Sequence, residues 1–177
     1  MSTFTEDGFL NGRLKLRQPR QGFRAGLDAV MLAAAIPATK GEAALELGAG
    51  VGTASLCLAL RTGCDVTGLE IDPELGALAN QNAVLNAQSD RVRFETADAL
   101  TWKSARRFEH VFCNPPFHDD SGKRSPNAQR ARALQDAGML KDWVRSGVNR
   151  VASKGSFTII LRADRLNEAL AVLPARG

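Results

Sequence analysis

Residues 43–62 form a unit that few folds accommodate. Ala43-Ala44-Leu45-Glu46-Leu47 has the pattern of a short buried strand, Gly48-Ala49-Gly50-Val51-Gly52 breaks it, and a helix is predicted to start near Thr53. Glycines at alternate positions let the backbone turn sharply and let a ligand approach it closely at a helix N-terminus. Four more runs read as strands: Cys64 to Leu69, Arg91 to Thr96, Phe108 to Cys113 and Ser156 to Leu161. Helices or helix-length segments separate them, so the expectation is an α/β, Rossmann-like, doubly wound parallel sheet. Asp72 followed by Pro73 is a helix start, cap then proline, running to Asn86. An amphipathic helix is predicted over residues 140–152, and a last one from Asp164. Ahead of the first strand, Asn11-Gly12 between short mixed runs predicts a hairpin. Asp28 precedes an apolar helix that Pro37 and Gly41 close, where it reads equally as N-cap or as ligand contact. The whole chain, 1–177, is expected to be one domain, with a hairpin and helix over 1–40 and the sheet over 41–177.

Three acidic residues follow successive strands. A dinucleotide site needs a third glycine at position 53, where Thr53 stands, and Glu46 precedes the first glycine. A carboxylate beside the loop disfavours a pyrophosphate, and with it a nicotinamide-linked oxidoreductase, but suits a cationic amino-acid end. Glu70 ends the second strand, where a carboxylate can accept from both hydroxyls of a ribose. Asp98, in Ala97-Asp98-Ala99, follows the third and can accept from an adenine amino group. Singly, each has a plainer reading: Glu46 as a capping carboxylate, Glu70 as a solvated strand end, Asp98 as a turn former. Their order fits a nucleoside with an amino-acid tail and no phosphate, which is S-adenosylmethionine, held by Glu46, Gly48, Gly50, Gly52, Glu70, Asp98 and Ala99.

The fourth strand runs into Asn114-Pro115-Pro116-Phe117. An amino group conjugated to a ring is a poor nucleophile, because its lone pair is delocalised. Two acceptors aimed at its two N–H bonds draw it toward a pyramidal, nucleophilic shape. The Asn114 side-chain oxygen and the Pro115 carbonyl are a candidate pair, since prolines fix the backbone and donate no competing N–H. Pro116 stiffens the turn, and Phe117 would stack on a flat substrate. Taken alone, the tetrapeptide reads equally as a strand-to-loop turn with a buried phenylalanine.

Together, Glu46-Leu-Gly-Ala-Gly-Val-Gly52, Glu70, Asp98 and Asn114-Pro-Pro-Phe117 resemble the class I methyltransferases that modify exocyclic amines. The stretch from Gln21 to Ala34 is similar to the segment preceding the cofactor loop in bacterial tRNA adenine methyltransferases acting beside the anticodon. The resemblance spans about Phe9 to Arg132. It implies S-adenosylmethionine as cofactor, an adenine amine in tRNA as substrate, and Arg24 to Asp28 lying over the methionine end. It also implies two further strands after the last helix, which the 177-residue sequence lacks. The segment from His118 to Arg132 carries Lys123, Arg124 and Arg130, which read as a phosphate-gripping loop or as a solvated charged one.

Composition is compatible with this and adds little. A net charge of +4 and pI ≈ 9.3 suit an anionic partner. Cys57, Cys64 and Cys113 lie in apolar stretches without metal spacing, neither histidine has metal-site neighbours, and no metal is expected. No signal pattern or long apolar span is evident, so the expected location is cytoplasmic, with no membrane partner. Two other functions share the features. A protein glutamine methyltransferase poses the same amine problem, but similar enzymes commonly carry Tyr at the fourth motif position, and this chain has no Tyr. A non-catalytic nucleoside-binding module would keep Glu70 and Asp98 but have no need of Asn114 and the prolines.

Overall fold

A computed structural model describes residues 4–20, 24–116 and 139–173. Strands β1 (Phe4–Phe9) and β2 (Leu14–Pro19) make the expected antiparallel hairpin, with Asn11 and Gly12 at positive φ in its turn. There follow α1 (Leu27–Ala35), β3 (Ala43–Leu47), α2 (Thr53–Thr62), β4 (Asp65–Glu70) and α3 (Pro73–Leu85). Then come β5 (Val92–Thr96), β6 (Phe108–Cys113), a helix α4 over 139–148, β7 (Val151–Ile159) and α5 (Leu166–Leu170).

Strands β3 to β7 form one parallel sheet in the order β5-β4-β3-β6-β7. The chain winds outward from β3 through β4 to β5, then returns to lay β6 on the other side of β3. Ligands of such sheets bind in the crevice beyond the carboxyl ends of the strands where the winding reverses. Strand alternation divides the core. Ala44, Val66, Phe94 and Phe112 pack with α1, α2 and α3, whereas Leu45, Leu47, Leu69 and Cys113 pack toward Trp143 of α4. All five residues of β3 are buried, as expected of a strand covered on both faces. Arg61 ties α2 to α1, its guanidinium donating to the carbonyls of Ala33 (2.9 Å) and Ile36 at the end of α1.

Three expectations are corrected. Asp28 is not a helix N-cap: Gly26 holds that position, and Asp28 sits exposed in the first turn. The helix predicted over 140–152 ends at residue 148, where Asn149 and Arg150 donate back to the carbonyls of Arg145 and Gly147. The last strand begins at Val151 rather than Ser156 and contains a bulge: Val151 pairs with Phe108, yet Ser156 already pairs with His110. Polar Ser153-Lys154-Gly155 hides that strand from sequence. Among the described residues β7 is the last strand and pairs with β6 alone. No described helix is long and apolar enough to cross a membrane.

The hairpin is fastened by two asparagines one helical turn apart, Asn82 in α3 and Asn86 at its C-cap. Asn82 accepts from Arg17 N–H (2.8 Å) and donates to the carbonyls of Arg17 and Val51 (both 3.0 Å). Asn86 repeats the pattern on Lys15, accepting at 2.9 Å and donating at 2.7 Å. Side-chain amides thus take the place of a neighbouring strand along β2. Asn82 is fully buried and also holds the glycine loop. Replacing it with Ala strands buried backbone groups, so Asn82→Ala is expected to cost about 2–4 kcal/mol. Asn86→Ala, closer to water, should cost about 1 kcal/mol. Urea denaturation of both variants checks the ranking.

Candidate active site

Strand register brings the functional segments to one level. Leu47 lies opposite both Leu69 and Cys113, so Gly48, Glu70 and Asn114 are neighbours across three strand ends. Glu70 pairs with Thr96, which places Asp98 just beyond the end of the next strand. In the loop, Gly48, Gly50 and Gly52 have φ of 70°, 56° and 85°, the left-handed region that favours glycine. The three differ in their surroundings. A Cβ at Gly48 would lie 2.7 Å from Trp143 Cη2, and one at Gly52 would lie 2.5 Å from Phe94 Cζ, but one at Gly50 meets nothing within 4 Å. The outer glycines make room for the protein's own rings, and the middle one faces open space.

Glu70 is buried and holds the loop: Gly50 N–H donates to its Oε2 at 2.7 Å and Asp72 N–H to its Oε1 at 3.0 Å. Each oxygen keeps a lone pair for a further donor. Glu46 lies on the face of β3 that packs on α2 and is 3% exposed. Its Oε2 accepts from Ser55 N–H at 3.1 Å and Ser55 Oγ–H at 2.5 Å, so it does the capping that Gly52 cannot. Burial pushes this carboxyl up to about 8, opposed by the Ser55 bonds and reinforced by the Glu70 charge. The sequence reading treats Glu46 as a fixed negative charge. In the fold it is largely protonated at neutral pH, and a cation placed against it would draw the proton off.

Asp98 is half-buried and organises its own turn, accepting from Leu100 N–H (2.8 Å) and Thr101 Oγ–H (3.2 Å). The carbonyl of buried Ala99 is held by Ser146 of α4 at 2.7 Å. Asn114 is half-buried, followed by buried Pro115 and exposed Pro116. Among the described residues no hydrogen-bond partner engages the Asn114 side chain, in contrast to Asn80, Asn82 and Asn86, whose amides all bond to backbone. Arg24 is engaged by the hairpin, donating to Thr5 Oγ1 (2.9 Å), the Pro19 carbonyl (3.0 Å) and Asp7 Oδ2 (2.5 Å). Phe117, Lys123, Arg124 and Arg130 lie outside the described residues. Sequence reasoning missed Trp143 and Asn82, which shape the loop from outside it. Trp143 lies in the second turn of α4 and Asn82 in the third turn of α3, and neither position carries a local signal of that role.

The donor set fits a nucleoside with an amino-acid tail. No lysine or arginine lies within the loop 48–53 to neutralise a phosphate. Glu70 offers two acceptors to a vicinal diol, and the buried Thr53 hydroxyl has no partner among the described residues. A family model for the methyltransferase small domain matches residues 25–165. A tRNA1(Val) (adenine(37)-N6)-methyltransferase of Shewanella loihica is 31% identical over 159 residues, covering 86% of this chain. This chain spans 65% of that relative's length, and 66% of a Klebsiella pneumoniae enzyme of the same description at 30% identity. Among solved structures, one described as a predicted O-methyltransferase from Agrobacterium tumefaciens superposes with a TM-score of 0.65 at 26% identity. It covers 82% of this chain and 66% of that one. TrmN from Thermus thermophilus, at 0.64 and 21% identity over 83% of this chain and 40% of that one, shares the fold.

Glu46 makes stability depend on pH. Its folded pKa, about 8, lies above the ordinary 4.5, so the folded state binds the extra proton. The favourable contribution is complete below pH 4.5 and is lost as pH rises toward and through 8. Without added cofactor, the wild-type melting temperature should therefore fall relative to Glu46→Gln between pH 5 and pH 8.5, by several degrees. Parallel melting curves for the two proteins would refute the shift.

Proposed function

Because the chain belongs to the methyltransferase small domain family of S-adenosylmethionine-dependent enzymes, we propose that it methylates the exocyclic N6 amine of an adenine in tRNA, beside the anticodon. The observation that carries this reading is the Asn114 amide, which no described residue engages and which the β3–β6 register sets level with the glycine loop. The names of the tRNA1(Val) adenine methyltransferases among its relatives support the choice of substrate.

Glu46, Glu70, Asp98, Ala99 and the backbone of Gly48, Gly50 and Gly52 would hold the cofactor, with Arg24 and Asp28 near its methionine end. When bound, it supplies a methyl group activated by a sulfonium. The chain's own work is positioning. Asn114 Oδ1 and the Pro115 carbonyl accept the two amine hydrogens and direct the nitrogen lone pair along the line of transfer, an orientation effect that can supply much of the acceleration. Phe117 stacks on the base, and Lys123, Arg124 and Arg130 contact flanking phosphates. No general base is required, since the methylated, aniline-like nitrogen is acidic enough to lose its proton to water.

Incubation with labelled cofactor and bulk tRNA lacking base methylation, followed by nucleoside mass spectrometry, should give N6-methyladenosine. Methylation of a glutamine in a release-factor-like peptide, or of a ribose oxygen, would overturn the assignment. Two variants separate binding from chemistry. Glu70→Ala should weaken S-adenosylhomocysteine binding by about 1–3 kcal/mol in calorimetry. Asn114→Ala should leave that affinity within a few fold and cut turnover by about 100-fold or more. Normal turnover would reduce Asn114 to a turn residue.

A further inference from the structure

We propose that a basic concavity at the amino-terminal end of β6 and β7, at the opposite end of the sheet from Asn114, grips the phosphate backbone of an RNA. The inference rests on the reading of the chain as an RNA methyltransferase and assigns the far part of its substrate surface. The concavity, about 740 Å³, has an apolar floor that includes Val144, Val148 and Phe157 and a rim of Arg107, Arg145 and Lys154, and among the described residues no carboxylate lines it. Arg145 is partly neutralised by Asp142 at 3.7 Å, an exposed pair of little strength. Among the described residues, neither Arg107 nor Lys154 has an acidic partner.

The bulge in β7 builds this surface. Between the Phe108–Val151 and His110–Ser156 pairs, residues 152–155 of β7 stand opposite the single residue Glu109, and the strand bulges. A Cβ at Gly155 would lie 2.4 Å from the Glu109 carbonyl, so only glycine lets the chain return to the sheet there. Lys154 is held at φ 65°, a left-handed conformation unusual for a long side chain, and it lines the concavity. Arg150 adds to the field without neutralising it. It is clamped to the Trp102 carbonyl and to Ser146, and its pKa is lowered by burial and by repulsion from Arg107.

Uncompensated cations facing one hollow call for an anion. Arg107 and Lys154, with the partly paired Arg145 beside them, spread around 740 Å³, more than a single phosphate occupies. Guanidinium groups match phosphate oxygens two at a time. A bilayer fits less well, because the apolar side chains of this surface, Val144, Val148, Val151, Phe157 and Val172, are buried or half-buried in its floor and none protrudes. The span also fits a polynucleotide. From Phe108 to Asn114 the strand rises about 20 Å at about 3.3 Å per residue, a distance that one folded RNA can bridge over the protein surface, with a base at Asn114 and phosphates at Arg107 and Lys154.

The test is fluorescence anisotropy with labelled tRNA on the full chain, comparing wild type with Arg107→Ala/Lys154→Ala, alongside tRNA methylation. The variant should bind about 10–100-fold more weakly at low salt, with a log–log salt slope shallower by about 2, one per lost phosphate contact. Its affinity for S-adenosylhomocysteine should be unchanged, which shows that it is folded. Equal tRNA affinity and slope in the two proteins overturns the proposal, even if both methylate tRNA. A wild type that binds tRNA through these residues without methylating it upholds the surface and removes the enzymatic reading instead. Binding to phosphatidylserine vesicles or polyglutamate but not tRNA, or to none of them, overturns the RNA assignment.

Discussion

The Gly50 N–H donating to Glu70 at 2.7 Å joins the loop after β3 to the end of β4. With the Ala49 N–H donating to the Leu69 carbonyl at 2.9 Å, it fixes the loop across two strand ends. The same carboxylate accepts from Asp72 N–H, and Asp72 caps α3 by accepting from Glu74 and Leu75. One buried side chain therefore sets the loop, the strand end and the start of the next helix. A buried carboxylate is costly without hydrogen bonds, and two backbone donors offset that cost here while each oxygen keeps a lone pair.

A second layer supports the loop from behind. Phe94 fills the space that a side chain at Gly52 would need, Trp143 does so at Gly48, and Asn82 bonds the Val51 carbonyl. These three side chains come from β5, α4 and α3, so the loop is contacted from three elements. Asn82 is also the point where the hairpin joins the core, through both backbone groups of Arg17. Asp7 reinforces that junction. Burial works against its charge, but hydrogen bonds from Thr5 and Gln18 and the Arg24 guanidinium outweigh it and hold the carboxyl below its usual range.

Charge is divided between the two ends of the sheet. The carboxyl end carries Glu70 and Asp98, with the carboxyl of Glu46 buried behind them. The amino end carries His110 between Ser156 of β7 and Glu42 ahead of β3, at 2.8 Å and 3.1 Å, together with Arg107 before β6, Arg145 of α4 and Lys154 of the β7 bulge.

Much of this protein follows from its sequence because the signals are local. The Gly48–Gly52 loop, the Asp72-Pro73 cap, the Asn11-Gly12 turn and the strands ending in Leu47, Glu70, Thr96 and Cys113 each depend on neighbours within a few residues. Their order along the chain is enough to predict a parallel sheet with an acidic nucleoside site. What the tertiary structure decided depends on residues far apart. The sequence marks Glu46 as acidic, but only burial against α2 makes it a carboxyl protonated near neutrality. Three glycines look alike until Trp143 and Phe94 show that two of them clear space for the protein itself. Asn82 and Asn86 look like polar positions on a helix, and only packing against β2 turns them into its missing strand partner. The bulge at 152–155 reads as a loop because its spacing depends on pairing with β6, and that pairing brings Arg107, Arg145 and Lys154 together.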